Sequence, residues 1–418
     1  MTKVLIFLPS LWSGGGEKIA MDIAGALKGD DMEFLAVTYL DFKDTPAALL
    51  ARKYGIRTLC LHKGRGFDPG VWVRLGRVID EFRPDAIHAH LKVMQYLLPP
   101  LMTRRVPRCI YTVHNLAEKD ASGYMRVINK LAFSRFGVIP VAISETCRKS
   151  LVSLYNTEPV CIYNGIDTGR YARREPYKPD GDGVVRFVAI GRLGLQKNYP
   201  LMLRAFAEAG KRGANIALTI IGAGEQEQEI KDLIGTLGLE DRVTLAGVVS
   251  DVENYLWQSQ VYLMSSVYEG LPLGVLEAMS ASLPIVSTMA GGVVDVVRHG
   301  DNGLLCPVGD EKALAEAIET IAGDRELRLR MSRRSLEESA EYDIKRCAGK
   351  YRALYTGEGI EYGQAPDKRA FVRIQRRKIY RRDFGEPETA NLPGPLGAYS
   401  HRRLLLRRDS GNTGAGAK

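Results

Sequence analysis

The chain has 418 residues, a formal net charge of +9 and a composition that is 45% hydrophobic and 26% charged. These values are typical of a soluble globular protein with two domains and an appendage. No window approaches 18 uninterrupted apolar residues, and the six cysteines are scattered without a C-x-x-C pair. The sequence therefore disfavours a membrane-spanning helix, a disulfide framework and a zinc site, and it favours reduced thiols in the cytoplasm.

The charge is distributed unevenly along the chain. Residues 1–175 carry a net charge of +8, residues 176–356 carry −5, and residues 357–418 carry +6. We therefore expect the basic and acidic halves to meet different partners.

Three adjacent glycines, Gly14, Gly15 and Gly16, follow the apolar start MTKVLIFLPSLW, which we interpret as a β-strand and not a signal peptide. A phosphate-binding P-loop is excluded because Lys18 is followed by Ile19, and the dinucleotide fingerprint G-x-G-x-x-G is also absent. Such glycines either bring bare backbone close to a bulky or anionic group or form a tight turn. The segment alone leaves both interpretations open.

Short apolar runs alternate with helix-patterned stretches through residues 1–175, which predicts βαβ units and a parallel sheet. The strand candidates are KVLIFLP, MEFLAVTYL, DAIHAH, RCIYTVH and GVIPVAIS. His88, His90 and His114 follow or lie in these runs, but no cysteine or carboxylate accompanies them at ligand spacing, so a metal site is disfavoured.

The segment LKVMQYLLPPLMTRRVPR, residues 91–108, is apolar and ends in a basic cluster. This segment is either a buried helix with a solvated basic end or a surface that rests on anionic lipid. Basic residues near an anionic leaflet contribute roughly 1 kcal/mol each to binding. Nucleic acid is disfavoured because aromatic interleaving and the known recognition motifs are missing. The other basic residues assigned to this surface are Lys63, Arg65, Arg74, Arg77 and the arginines of the tail.

The apolar pattern stops around YNGIDTGRYARREPYKPDGDG, which we interpret as a linker. Its D-G-D at 180–182 is read as a turn and not as a metal motif. A second series of strand candidates follows: VVRFVAIGRL, ALTIIGAG, RVTLAGVV, VYLMSS and PIVSTMAGG. Two doubly wound α/β domains are therefore predicted, and ligands of such sheets bind beyond the carboxyl ends of the strands, here in a cleft between the domains.

Two pairs of charged residues fall at predicted strand ends. Arg192 and Lys197 suit a diphosphate, Arg through its planar fork and Lys as a point charge. Glu269 and Glu277 flank the start of a predicted helix, whose amide groups and dipole favour diphosphate. The two carboxylates suit sugar hydroxyls on either side of the phosphates. Taken singly, each pair is better interpreted as solvated charges, and only their occurrence together favours a site.

Seven segments in order resemble the GT-B glycosyltransferases of the large retaining family 4, over residues 1 to about 356. They are GGGEK, DAIHAH, TVHN, YNGID, GRLGLQKN, IGAGEQ and YEGLPLGVLEAM. The resemblance implies two Rossmann-like domains facing a central cleft. Residues 1–175 would bind the acceptor and residues 183–340 the nucleotide sugar. A helix at 341–356 would pack back toward the first domain, and 357–418 would form a basic, flexible tail.

The resemblance also implies roles for particular residues. Arg192, Lys197, Glu269 and His114 form the catalytic set. Glu17 and His90 are placed on the acceptor side, and no metal or cofactor is expected. Family members usually have Glu where this chain has Asp295. The donor-binding residues are Gly15, Gly16, Gly270, Leu271, Pro272, Leu273 and Glu277.

The expected function is retaining transfer of a sugar from a nucleotide sugar, UDP- rather than GDP-linked, to a lipid-linked glycan or polysaccharide of the cell envelope. The enzyme is expected in the cytoplasm, on the inner face of the cytoplasmic membrane. Three alternatives stay open: a nucleotide-sugar epimerase on the same fold, a non-catalytic membrane-associated binding protein and an oxidoreductase. The last is weakened by the missing dinucleotide fingerprint.

Overall fold

The computed structural model describes residues 1–12, 14–29, 31–173, 175, 177–178 and 183–358, together with the backbone of 360–364 and 370–374. The turn predicted at 180–182 and most of the predicted tail lie outside these residues. Within the described ranges, every helix is too short or too polar to cross a bilayer.

The first sheet has seven parallel strands in the order β3-β2-β1-β4-β5-β6-β7. Strand β1 is central because both of its faces are apolar, and Val4 pairs with Phe34 on one side and Ala86 on the other. The strands are β1 (Thr2–Leu8), β2 (Met32–Thr38), β3 (Arg57–Cys60), β4 (Ala86–His90), β5 (Arg108–Val113), β6 (Ile139–Ala142) and β7 (Val160–Cys161).

Helices connect these strands and cover both faces of the sheet, as parallel pairing requires. The reversal of strand order beside β1 is the switch point at which such sheets bind ligands. The helices are α1 (Gly15–Leu27), α2 (Pro46–Lys53), α3 (Gly70–Phe82), α4 (Met94–Thr103), α5 (Ala117–Asp120), α6 (Tyr124–Arg135), α7 (Glu145–Tyr155) and α8 (Thr168–Tyr171).

The second sheet has six parallel strands in the order β10-β9-β8-β11-β12-β13 and repeats the doubly wound plan. Its strands are β8 (Val185–Ile190), β9 (Ile216–Ile221), β10 (Val243–Gly247), β11 (Val261–Met264), β12 (Ile285–Thr288) and β13 (Gly303–Cys306). Its helices are α9 (Tyr199–Lys211), α10 (Glu227–Thr236), α11 (Val252–Gln258), α12 (Leu273–Ser280), α13 (Glu311–Gly323) and α14 (Arg325–Ser339), with 3₁₀ turns at Gly291–Asp295 and Ala340–Tyr342. The predicted pair of doubly wound α/β domains is thereby confirmed.

The last long helix, α15 (Ile344–Thr356), leaves the second sheet and packs against α1, β1 and β5 of the first. Its Tyr355 hydroxyl lies 2.6 Å from His88 Nδ1, and its Tyr351 hydroxyl lies 3.0 Å from Thr112 Oγ1. Both tyrosines are buried. The core of the first sheet is therefore completed by residues that follow the second sheet in the sequence. A backbone hairpin of β14 (Ile360–Gln364) and β15 (Ala370–Ile374) follows.

Two glycines provide a test of how α15 is seated. A Cβ on Gly165, in the segment after β7, would lie 2.7 Å from Cys347 Cβ and 2.9 Å from Ile344 Cα, whereas a Cβ on Gly349 would meet open space. We expect Gly165→Ala to lower the free energy of unfolding by about 1–3 kcal/mol through overpacking. Gly349→Ala, the matched control within α15, should raise it by about 0.5–1 kcal/mol. Urea denaturation measures both, and equal effects of the two variants would contradict this packing.

Candidate active site

The glycine loop between β1 and α1 lies against both domains. A Cβ on Gly15 would be 3.6 Å from Leu273 of the second domain, and one on Gly16 would be 2.9 Å from Leu91 and 3.4 Å from His114. At Gly14, the Glu17 carboxylate lies 2.3 Å from the position of a Cβ, a contact that the flexible Glu17 side chain could relieve. The loop thus brings backbone close to the start of α12.

Glu17 stands in the first turn of α1 and is half-buried. Burial raises the pKa of its carboxyl above the usual value, and a local backbone hydrogen bond opposes the shift. Its carboxylate folds back over Gly14, so Glu17 borders the glycine loop.

His114 lies at the end of β5, and its ring shares one hydrogen bond with His90, because His90 Nδ1 and His114 Nε2 are 2.9 Å apart. Burial lowers the pKa of His114 to about 4, and it lowers the pKa of His90 well below the ordinary value. Both imidazoles are therefore neutral at physiological pH. A neutral His114 can orient a sugar hydroxyl without placing a positive charge beside it.

His90 does not line the cleft as expected, because its side chain has no exposed surface. Its ring packs 3.9 Å from that of His88, and its Nε2 atom is buried without a hydrogen-bond partner. His88 is fully satisfied by Tyr355 and Thr112. The structure thus places His90 behind His114, where it can hold the ring of His114 but cannot touch an acceptor.

Lys197 and Glu269 form an ion pair of 2.8 Å between side chains that are only 16% and 9% exposed. Lys197 precedes α9 and Glu269 follows β11, so both lie beyond the carboxyl ends of neighbouring strands. The stem of Lys197 crosses Gly191, where a Cβ would be 2.6 Å from Lys197 Cε. A buried pair of this kind offers a cation for phosphate and a carboxylate for hydroxyls.

Arg192 is 77% exposed and pairs with Glu225 at 3.0 Å. Such an exposed pair is held only weakly because solvent screens it. The IGAGEQ segment that contains Glu225 is the turn between β9 and α10. Arg192 is therefore free to exchange its partner for an incoming anion at the cost of a weak surface contact.

The loop from Gly270 to Leu273 threads between the domains. A Cβ on Gly270 would lie 2.3 Å from the His114 carbonyl oxygen. Asn164 Nδ2 donates to the Leu271 carbonyl at 3.0 Å, and Ser144 Oγ donates to the Gly270 carbonyl at 3.3 Å. These two donors satisfy the carbonyl groups of Leu271 and Gly270. Helix α12 starts at Leu273, and Pro272 at its N-cap provides no side-chain cap, so the first amides of α12 suit an anion.

Glu277 lies on α12 and is 7% exposed. Its Oε1 accepts a hydrogen bond from the Tyr171 hydroxyl at 2.9 Å and lies 3.4 Å from Lys18 Nζ of α1. Lys18 and Tyr171 had not been predicted as site residues. The sequence showed Lys18 only as the lysine that fails the P-loop pattern, and nothing local indicates that Tyr171, 106 residues before Glu277, would reach it.

Asp295 of the second domain is hydrogen-bonded to Thr146 of the first and so links the two domains. Its carboxylate accepts hydrogen bonds from Thr146 N at 2.8 Å and Thr146 Oγ1 at 3.0 Å, at the start of α7. Both contacts are made with the shorter Asp side chain. The N-terminus of α7 also favours a negative charge at this position.

Outside the site described above, one group of potential metal ligands occurs among the residues that the structure describes. Asp41, Cys60 and His62 lie close together beyond the ends of β2 and β3. His62 Nδ1 is 2.6 Å from Asp41 Oδ1, and the Cys60 thiol donates to the same oxygen at 3.2 Å. Asp41 and His62 are about three-quarters exposed, and these hydrogen bonds account for the cluster.

Comparison with protein families matches both halves of the chain. The family described as Glycosyltransferase Family 4 matches residues 13–170, and the family described as Glycosyl transferases group 1 matches residues 173–338. The boundary falls between α8 and the second sheet. Both halves of the chain thus match glycosyltransferase families, which confirms the expected resemblance and the expected class of enzyme.

Curated relatives agree with this class. N-acetyl-alpha-D-glucosaminyl L-malate synthase of Bacillus anthracis is 26% identical over 303 residues, which cover 69% of this chain and 79% of that protein. An uncharacterized glycosyltransferase of Haemophilus influenzae is 32% identical over 168 residues, 40% of this chain and 48% of that protein. The lipopolysaccharide core biosynthesis glycosyltransferase LpsE of Rhizobium meliloti is 33% identical over 177 residues, 42% of this chain and 51% of that protein. The last two matches thus span about half the length of the relative.

Among solved structures, HepE of Anabaena in complex with UDP superposes with a TM-score of 0.73 at 19% identity, covering 85% of this chain and all of HepE. HepE with UDP and glucose gives a TM-score of 0.74 over the same coverage. The likeness confirms the expected GT-B fold.

The lowered pKa of His114 leads to a prediction about how stability depends on pH. His114 has a pKa of about 4 in the folded protein and near 6.5 when unfolded, so the unfolded chain binds more protons between these values. The free energy of unfolding contributed by this group therefore falls as pH falls from about 6.5 to 4. Between pH 7 and pH 5 the loss is roughly 2 kcal/mol.

The measurement is the difference between wild type and His114→Gln in urea denaturation at pH 7 and pH 5. The difference is needed because burial raises the pKa of Asp120 to about 6, which gives that carboxyl the opposite pH dependence. We expect the stability advantage of wild type over the variant to shrink at pH 5. An unchanged advantage would show that His114 is not held neutral.

Proposed function

We propose that the protein is a retaining glycosyltransferase that moves a sugar from a UDP-sugar to a lipid-linked glycan or polysaccharide acceptor in envelope biosynthesis. The observation that carries the proposal is the buried Lys197–Glu269 pair beside the open N-terminus of α12, with Glu277 on the same helix and the glycine loop facing it. UDP in the HepE complex supports uracil as the base.

The proposed mechanism is the one that the family resemblance implies, and the charges at this point support it. The acceptor hydroxyl oxygen bonds to the anomeric carbon on the face from which the diphosphate leaves, the bond from that carbon to the diphosphate oxygen breaks, and the departing diphosphate takes the hydroxyl proton. Lys197, Arg192 and the first amides of α12 would stabilise the negative charge that develops on the diphosphate. Glu269, released from Lys197, would accept hydrogen bonds from the sugar.

Removal of either cation tests this role. We expect Arg192→Ala and Lys197→Ala each to lower kcat by about 10²-fold or more, because a charge partner of the transition state is lost. Arg204→Ala is the matched control, since Arg204 is an exposed arginine of the same domain that pairs with Glu311 at 2.6 Å. It should keep wild-type kcat.

The assay is release of UDP or GDP from a panel of nucleotide sugars, with and without lipid extract, and with Glu269→Ala as a blank. Release that needs the extract and is lost in Glu269→Ala supports transfer and identifies the donor. Conversion of the sugar without acceptor would instead indicate an epimerase. Wild-type rates in both cation variants would overturn the assignment, and activity that EDTA abolishes and Mg²⁺ restores would overturn a metal-free mechanism.

We also propose that the first domain rests on the inner face of an anionic membrane through its α3–α4–α6 face. This face consists of the exposed side chains Val73, Arg77, Met102, Arg105, Val127, Lys130 and Leu131. Helix α4 packs against both α3 and α6, which makes the surface continuous. Of the basic residues assigned from sequence, Arg74 and Arg104 are already paired, with Asp68 at 2.7 Å and Asp80 at 2.9 Å. Exposed apolar and basic side chains together suit an anionic lipid surface.

Co-sedimentation with vesicles tests this surface. We expect binding to vesicles that contain phosphatidylglycerol and little binding to pure phosphatidylcholine. The double variant Arg77→Glu/Arg105→Glu should bind at least about tenfold more weakly, since each basic residue contributes roughly 1 kcal/mol. Lys211→Glu/Arg333→Glu makes the same change in charge on exposed residues of the second domain and should bind as wild type does. If both double variants lost vesicle binding equally, the loss would come from the change in net charge, and the proposed surface would be contradicted.

A further inference from the structure

Lys18 is half-buried at the junction of the two domains and contacts two carboxylates. Its ammonium lies 3.0 Å from Asp22 Oδ2 on the same helix and 3.4 Å from Glu277 Oε1 on α12. The Lys18 side chain is 25% exposed, and both carboxylates are 7% exposed. Among the residues that the structure describes, no other ion pair joins residues 1–161 to residues 185–339.

Two other residues of the first domain, Asp22 and Tyr54, hold Lys18 in position. Asp22 accepts a second hydrogen bond from the Tyr54 hydroxyl at 2.9 Å, through the oxygen that does not contact Lys18. Burial alone would lower the pKa of Lys18, but Glu277, Tyr171 and Asp22 together raise it above the ordinary value. Lys18 is therefore charged at physiological pH, and it is the cation between two buried carboxylates.

Glu277 uses only one of its oxygens in these contacts. Tyr171 and Lys18 both meet Oε1, and within the described part of the chain Oε2 accepts no hydrogen bond. A carboxylate held at one oxygen has a fixed orientation, and its other oxygen is left to accept hydrogen bonds from a ligand. Loss of one hydrogen bond to a charged group weakens binding by roughly tenfold or more.

We infer that Lys18 is a positioning residue of the first domain that orients Glu277 toward the ribose hydroxyls of the donor nucleotide. The inference rests on the proposed function and on the family resemblance, which implies that Glu277 binds the ribose hydroxyls, and it adds that recognition of ribose requires the two domains to be in contact. Without Lys18, Asp22 and Glu277 would face each other as buried carboxylates of like charge, which is unfavourable. Glu277 would then lose its fixed orientation.

The test compares the affinities of UDP and 2′,3′-dideoxy-UDP by calorimetry. Wild type should prefer UDP by at least about tenfold, the effect of one hydrogen bond to a charged group. In Lys18→Met we expect the preference to fall by about tenfold, while the Kd of dideoxy-UDP stays within about twofold. Lys18→Arg, which keeps the charge, should restore most of the preference. Lys28→Met makes the same change at the far end of α1, where Lys28 is exposed, and should match wild type.

Coupling to Glu277 gives the second readout. In a Glu277→Gln background, Lys18→Met should cause no further loss of the UDP preference, because both changes remove the same interaction. Equal weakening of UDP and dideoxy-UDP by Lys18→Met would overturn the inference, and so would an unchanged preference. Failure of the proposed function is seen separately, as wild-type protein that binds neither nucleotide, and it would overturn both.

Discussion

The close approach of backbone to backbone between the domains is the constraint on which the candidate site depends. Between the domains, the His114 carbonyl oxygen lies 2.3 Å from the position of a Cβ on Gly270, and within the second domain the Gly270 carbonyl oxygen lies 1.8 Å from the position of a Cβ on Gly292. Side chains of any size would push these segments apart. Because the three segments touch, the start of α12 is brought to the glycine loop, and the charges on both sides come within hydrogen-bonding range.

Three positive charges at the site are each paired with a carboxylate of the same chain. Lys197 is paired with Glu269, Arg192 with Glu225 and Lys18 with Glu277. Buried charges are tolerated only when paired, so Lys197 has a carboxylate next to it, Glu269, that could receive hydroxyl groups once the cation turns to phosphate. A ligand with both phosphate and hydroxyl groups matches this pair, since it can replace both of its halves at once. A ligand with only one kind of group would leave a buried charge without a partner.

Local features of the sequence were sufficient to predict most of the fold. Apolar runs of six to ten residues predicted most of the strands, and the glycines and the residues around Glu269 marked the strand ends where the site lies. The sequence could not place residues whose partners are far along the chain. His90 looked like a cleft residue because it ends a strand, but its environment is set by His114, 24 residues later. Tyr171 and Lys18 likewise acquire their positions only when the domains meet. The assigned roles of the site residues stay predictions.

The return of α15 to the first domain has a consequence for synthesis of the protein. His88 finds its hydroxyl partner in Tyr355, 267 residues further along the chain. At translation rates of about 5–20 residues per second, that partner emerges roughly 15–50 s after His88. During this interval the nascent first domain has an incomplete face beside β1, β4 and β5. This face is the part of the nascent chain that a chaperone would have most reason to cover, and it is sealed only when the second domain has been made.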